Sequence, residues 1–125
     1  VYPTGESQEK RTPKHTEYFR WASVVAGDCH YITKYMPDDM RGKVVVTNTT
    51  TGDDVALFRK SGVKYLVTTT PVMEGRSFGT NMMEAAILSG LEYKAAVDYS
   101  QPDDYFQMLT DVVDELKLTP QVMEL

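Results

Sequence analysis

Three short polar clusters carry the residues that could do chemistry in this 125-residue chain. Asp28, Cys29 and His30 form the first, Asn48, Thr49, Thr50 and Thr51 the second, and Thr68, Thr69 and Thr70 the third. A further stretch, EGRSFGTN over 74–81, brings Arg76, Ser77, Gly79 and Asn81 close behind the third cluster. Hydroxyl and amide side chains suit the hydroxyls of a sugar, and a guanidinium offers a planar fork to phosphate or carboxylate. Glycines let the backbone approach a ligand, and a helix opening at Asn81 would present free N–H groups. The stretch therefore reads as an anion-binding or ribose-binding loop, with an ordinary polar loop and helix cap as the plain alternative. Threonine also suits strands and caps helices, which would explain any one cluster; three at equivalent places favour a site.

Asp28 and His30 could ligate a metal or relay a proton. Two such residues without further ligand spacing read more simply as a surface pair, so no metal is assigned. Cys29 and His30 are adjacent in sequence and point apart, which makes the cysteine a buried, inert thiol rather than a nucleophile.

The elements that must position these residues follow from apolar runs and end signals. SVVAG (23–27), KVVVTN (43–48) and VKYLVTTT (63–70) lack alternation, as strands covered on both faces do. TGDDVALFRKSG (51–62) has Asp53 and Asp54 in its first turn, Lys60 in its last and Gly62 as a stop, the signals of a complete helix. CHYITKYM (29–36), halted by Pro37, makes a second crossover. Residues 1–12 read as a connecting arm, and Thr12-Pro13 offers a helix start with Tyr18, Phe19, Trp21 and Ala22 on its apolar side. Asn81 is expected to cap the next helix, with Glu84 reaching back to it and Gly90 as the stop. A last helix is expected from Ser100-Gln101-Pro102-Asp103, with Phe106, Leu109, Val113 and Leu116 at helical spacing and Met82, Met83 and Met108 as core. QVMEL after Pro120 can add an edge strand. Strands alternating with helices give an α/β domain over 13–125 with a mainly parallel sheet, three layers deep. Ligands of such sheets bind beyond the carboxyl ends of the strands, where all three clusters fall.

With 13 basic and 18 acidic residues the net charge is −5, so the chain repels phosphate backbones and anionic lipid on average; neither nucleic acid nor membrane is an expected partner. No apolar run approaches the roughly 20 residues of a membrane span, and the single cysteine agrees with a reducing, cytoplasmic compartment. The chain opens on Val1 and a polar stretch, so it is expected to be a fragment or processed piece of a longer protein, with a small-molecule ligand and, in a homo-oligomer, further copies as partners. Neither G-x-G-x-x-G nor G-x-x-x-x-G-K-[ST] occurs.

YPTGE (2–6), GDCH (27–30), TNTTT (47–51), TTTP (68–71) and GRSFGTN (75–81) together resemble a divergent branch of the quinate/shikimate 5-dehydrogenases. The resemblance covers nearly the whole chain and implies that it is the C-terminal, three-layer αβα, Rossmann-like, NAD(P)-binding half of an oxidoreductase, with the N-terminal part of the same protein as a partner. Asn48 and Thr50 look like the Asn-x-Thr segment that runs beside the cofactor in that family. The resemblance implies NAD or NADP held by Asn48, Thr49, Thr50, Thr68, Thr69 and Thr70. Asp28, His30, Arg76, Ser77, Gly79 and Asn81 would face substrate or an anion. The catalytic acid and base are expected outside this chain, which alone should not turn over. A non-catalytic domain sensing a small anion is the alternative.

Overall fold

The computed structural model describes residues 10–74, 76–77, 79–90 and 102–125; most of the connecting arm and the expected Ser100-Gln101 helix start lie outside them. Helix α1 spans Thr16–Trp21, strand β1 Val24–Ala26, helix α2 Cys29–Tyr35, strand β2 Val44–Thr47, helix α3 Gly52–Lys60 and strand β3 Tyr65–Thr68. A two-stranded ribbon follows, β4 (Val72–Met73) and β5 (Arg76–Ser77), then helices α4 (Thr80–Gly90) and α5 (Pro102–Glu115) and strand β6 (Gln121–Glu124).

The fold is α/β, built on an open four-stranded sheet in the order β1-β2-β3-β6. β1, β2 and β3 run parallel, in register Val24↔Val44↔Tyr65, while β6 returns antiparallel beside β3 with Val67 opposite Val122. The two crossovers between parallel strands are the two helices with the clearest end signals. Asp28 caps α2 by accepting from the N–H of His30 at 2.9 Å. Thr51 and Asp54 form a reciprocal capping box on α3: the Thr51 N–H donates to Asp54 Oδ2 at 2.8 Å, and the Asp54 N–H donates to Thr51 Oγ1 at 3.3 Å. Gly62 stops α3 at φ 84, where a β-carbon would lie 2.6 Å from the Arg41 Cγ and 3.2 Å from its Cα, so the turn admits only glycine without strain.

Burial of one sheet face makes the core. Val45 and Leu66 pack with Cys29, Ile32 and Met36 of α2, Phe58 of α3 and the loop residues Met40 and Val63. Residues alternating with these, Val44, Val46, Tyr65 and Val67, are half-buried. The core methionines are thus Met36 and Met40; Met82, expected there, is 61% exposed.

Two helix starts differ from the sequence reading. α1 begins at Thr16 rather than Pro13, because the N–H groups of Thr12 and Lys14 are taken up by the carbonyls of Lys34 and Tyr35, which holds 12–14 extended along the end of α2. Arg11 fixes this segment through Thr33, Met36 and Asp38. α1 buries no residue; only Phe19 packs toward the core, and Tyr18 and Trp21 are exposed. α4 begins at Thr80, its first-turn bond running from the Met83 N–H to the Gly79 carbonyl, so Asn81 lies inside the first turn instead of capping it. Glu84 does not reach back but accepts a hydrogen bond from the Tyr105 hydroxyl of α5.

No helix among the described residues is long and apolar enough to cross a membrane.

Candidate ligand site at the carboxyl edge of the sheet

Parallel pairing of β1, β2 and β3 sets their carboxyl ends side by side, which collects the three clusters on one edge. The chain continues the ladder past the strands: the Thr69 N–H donates to the Thr47 carbonyl at 2.9 Å. Register alone places Thr47 beside Thr68.

The β4-β5 ribbon folds back over the end of β2 and is tied there by Ser77. Its hydroxyl donates to the Asn48 carbonyl at 2.5 Å and accepts from the Thr50 N–H at 2.6 Å and the Thr50 hydroxyl at 2.9 Å. With one proton to give and that proton on Asn48, Ser77 must accept both bonds from Thr50. The Ser77 N–H closes the knot on the Thr50 carbonyl at 3.0 Å. Thr50 and Ser77 are buried, 1% and 3% exposed, so these two expected ligand contacts anchor the ribbon with their polar atoms. Gly79 then passes so near β2 that a β-carbon there would sit 3.2 Å from Thr49 Oγ1. Close approach, not an unusual φ, is what glycine supplies at this point.

Thr49 and Thr69 are exposed and Asn48 half-buried, and Asn48 Oδ1 accepts the Thr49 N–H at 2.7 Å. Thr47 and Thr68 are 2% and 0% exposed, and their hydroxyls have no hydrogen-bond partner among the described residues. Orphaned buried hydroxyls are uncommon, because each costs about 1–3 kcal/mol.

At the first strand the structure gives the expected residues other work. Asp28 is exposed and caps α2; His30 is half-buried in that helix's first turn. Cys29 is buried beside Thr47. Burial, with the nearby carboxylates of Asp54 and Asp28, pushes its thiol up to about 12, the Thr47 hydroxyl acting weakly in the opposite sense. Such a thiol carries almost no thiolate near neutrality and is no nucleophile. Among the described residues no group of three or more His, Cys, Asp or Glu side chains is placed to hold a metal.

A concavity of this edge opens where β3 ends. A cavity of about 490 Å³ starts at Thr69, Thr70 and Pro71 and runs between α4 and α5, lined by apolar side chains that include Met83, Ile87, Leu109 and Val113. Its volume lies in the usual range for small-molecule sites, and like them it is mostly apolar with few polar groups. Those groups are the rim hydroxyls of Thr69, Thr70 and Thr80 and the Glu84–Tyr105 pair. Thr68, Thr69 and Thr70 thus span orphaned hydroxyl, exposed edge and cavity rim in consecutive positions. Gly79 and Asn81 flank the same rim residue, Thr80, and Asn81 is exposed. Arg76 contributes backbone to β5; its side chain lies outside the described residues.

The sequence reading passed over the cavity wall. The signal present was the i, i+4, i+8 spacing of Tyr105, Leu109 and Val113, which sets them on one stripe of α5, with Met83 and Ile87 likewise on α4. The sequence reading placed Leu109 and Val113 on the apolar side of this helix but joined them to Phe106, which is 61% exposed, and left out the buried Tyr105.

The chain belongs to the family described as Domain of unknown function (DUF8754), whose model matches residues 1–125. No curated protein and no solved structure matches it.

Proposed function

We propose that this chain binds a nicotinamide nucleotide across the carboxyl ends of β2 and β3, as the NAD(P)-binding half of an oxidoreductase of quinate/shikimate dehydrogenase type. The observation that carries the reading is the place of the cavity: it opens at the end of a parallel strand, beside the threonine edge, where open α/β sheets hold their ligands. Sequential order of three parallel strands with an antiparallel fourth suits a Rossmann-like half. In this reading Asn48, Thr49 and Thr69 face the ribose end of the cofactor, Thr70 and Thr80 rim the ring pocket, and the ribbon held by Ser77 forms the wall beside them. The cofactor carries the hydride, and this chain binds, orients and excludes water. Acid–base groups for the substrate come from another part of a longer, cytoplasmic protein.

A sensor of small anions has less support. The first-turn donors that could hold an anion are already engaged: the His30 N–H of α2 by Asp28 and the Asp54 N–H of α3 by the Thr51 hydroxyl.

Thermal unfolding with NAD, NADP, quinate and shikimate, each at millimolar concentration, tests the proposal. A ligand at 100 times its Kd adds about 2.7 kcal/mol, a rise of several degrees for a domain of this size. A rise with NAD or NADP that is reduced in Val113→Phe, whose ring intrudes into the cavity, is expected. A rise with shikimate or quinate alone, or no rise with either nucleotide, would overturn it.

A further inference from the structure

The polarity of the cavity selects its occupant. Glu84 is the only charged side chain among the described residues that line it, and no lysine, arginine or histidine is among those lining residues. The Tyr105 hydroxyl donates to Oε1, which fixes the carboxylate in one orientation, and Tyr105 itself is buried, 8% exposed. Glu84 makes no other hydrogen bond to a described residue, so Oε2 remains an acceptor for whatever enters. Around this single anion the wall is aliphatic, with the rings of Tyr105 and Phe106 tilted 51° to one another at 5.9 Å. An anionic ligand would bring a second negative charge into a low-dielectric pocket; a cation would meet a carboxylate, π faces and apolar surface together.

From this we infer that the cavity binds a planar aromatic cation and rejects carboxylates, with Glu84 as its charge-selecting residue and Tyr105 as the residue that positions Glu84. The inference deepens the nucleotide-binding reading and rests on it for one of two sources of that chemistry: the oxidised nicotinamide ring is such a cation, whereas the reduced ring is neutral. A free pyridinium compound is the other source. Quinate and shikimate, as carboxylates, belong outside the cavity.

Calorimetric titration of the whole chain with NAD⁺, NADH, 1-methylnicotinamide and shikimate, in wild type, Glu84→Gln and Tyr105→Phe, separates the possibilities. Glu84→Gln keeps shape and removes charge, so NAD⁺ and 1-methylnicotinamide should weaken on the order of tenfold while NADH is unchanged. Tyr105→Phe should weaken the cations by a smaller factor in the same sense. Equal loss of NAD⁺ and NADH in Glu84→Gln, or no loss of either, overturns the inference and leaves nucleotide binding standing. Absence of both nucleotides with Glu84-dependent binding of 1-methylnicotinamide overturns the dehydrogenase reading and leaves the cation pocket. If 1-methylnicotinamide and both nucleotides fail to bind, or shikimate competes in the cavity, both fall.

Discussion

Replacing Thr68 by valine should make this protein more stable. Thr68 is 0% exposed, it stands beside Thr47 in the parallel register, and its Oγ1 has no partner among the described residues. Valine keeps the β-branched shape and strand propensity and exchanges only the hydroxyl for a methyl group. An unsatisfied buried hydroxyl costs about 1–3 kcal/mol, so its removal should return on the order of 1–2 kcal/mol after imperfect packing of the new methyl. For a chain of this length that is a Tm increase of roughly 3–10 °C. In urea the midpoint should rise with the m-value unchanged, which assigns the gain to the native state. Thr68→Ser serves as the control: it keeps the orphaned hydroxyl, deletes the packed methyl, and should destabilise by about 1 kcal/mol. If Thr68→Val lowers stability by 1 kcal/mol or more while Thr68→Ser is neutral, the hydroxyl is a structural hydrogen-bonder and the argument from its isolation fails. A stabilised valine variant that binds nucleotide less tightly would show that the orphaned hydroxyl is kept for the ligand.

Two further variants test the site's construction. Ser77→Ala removes a donor and a double acceptor, stranding the Thr50 N–H and hydroxyl in a buried place; a loss of about 2–4 kcal/mol is expected in denaturant unfolding, and a loss under 0.5 kcal/mol, on the order of an ordinary surface substitution, would mean the ribbon is not tied by this knot. Cys29 is held protonated in the fold, its thiol raised from 9.0 to about 12, chiefly by burial and then by Asp54 and Asp28. A raised native value means the folded state keeps a proton that the unfolded state releases, so its contribution is complete below pH 9 and declines as pH rises from there toward 12. Wild type should therefore lose stability across that window more steeply than Cys29→Ala, and parallel curves would refute the burial argument.

How far the sequence could be read depends on whether a feature is written locally. The crossover helices were legible because their signals lie within a few residues: Pro37 after α2, Asp53 and Asp54 in the first turn of α3, Lys60 in its last, and Gly62 at a positive φ after it, whereas the caps Asp28 and Thr51 were read as site residues. β1, β2 and β3 were legible as apolar runs, though β3 ends at Thr68 because Thr69 and Thr70 turn into the cavity rim. The β4-β5 ribbon was read as an anion loop, since a pair of two-residue strands carries no periodicity; Glu74 at φ 52 marks the turn only once seen. The strand order and the antiparallel return of β6 depend on pairing between distant segments, and the cavity on two helices meeting, none of which leaves a local trace.

The threonines show why residue type alone could point to the edge but not to the contacts. Thr51 caps a helix, Thr50 ties down a ribbon, Thr49 and Thr69 face outward, Thr70 rims a cavity, Thr47 buries its hydroxyl beside the Cys29 thiol, and Thr68 buries one that has no partner among the described residues. All are the same side chain within two short runs. What separates them is register: a position on a strand selects a face, and the neighbouring strand decides whether the hydroxyl meets a partner there. Two of these threonines work for the fold in ways that hydrogen bonds account for, and Thr68 imposes a cost that no described residue offsets. A ligand contact is best sought where that cost lies next to open volume, which in this chain is the run from Thr68 to Thr70 and the cavity behind it.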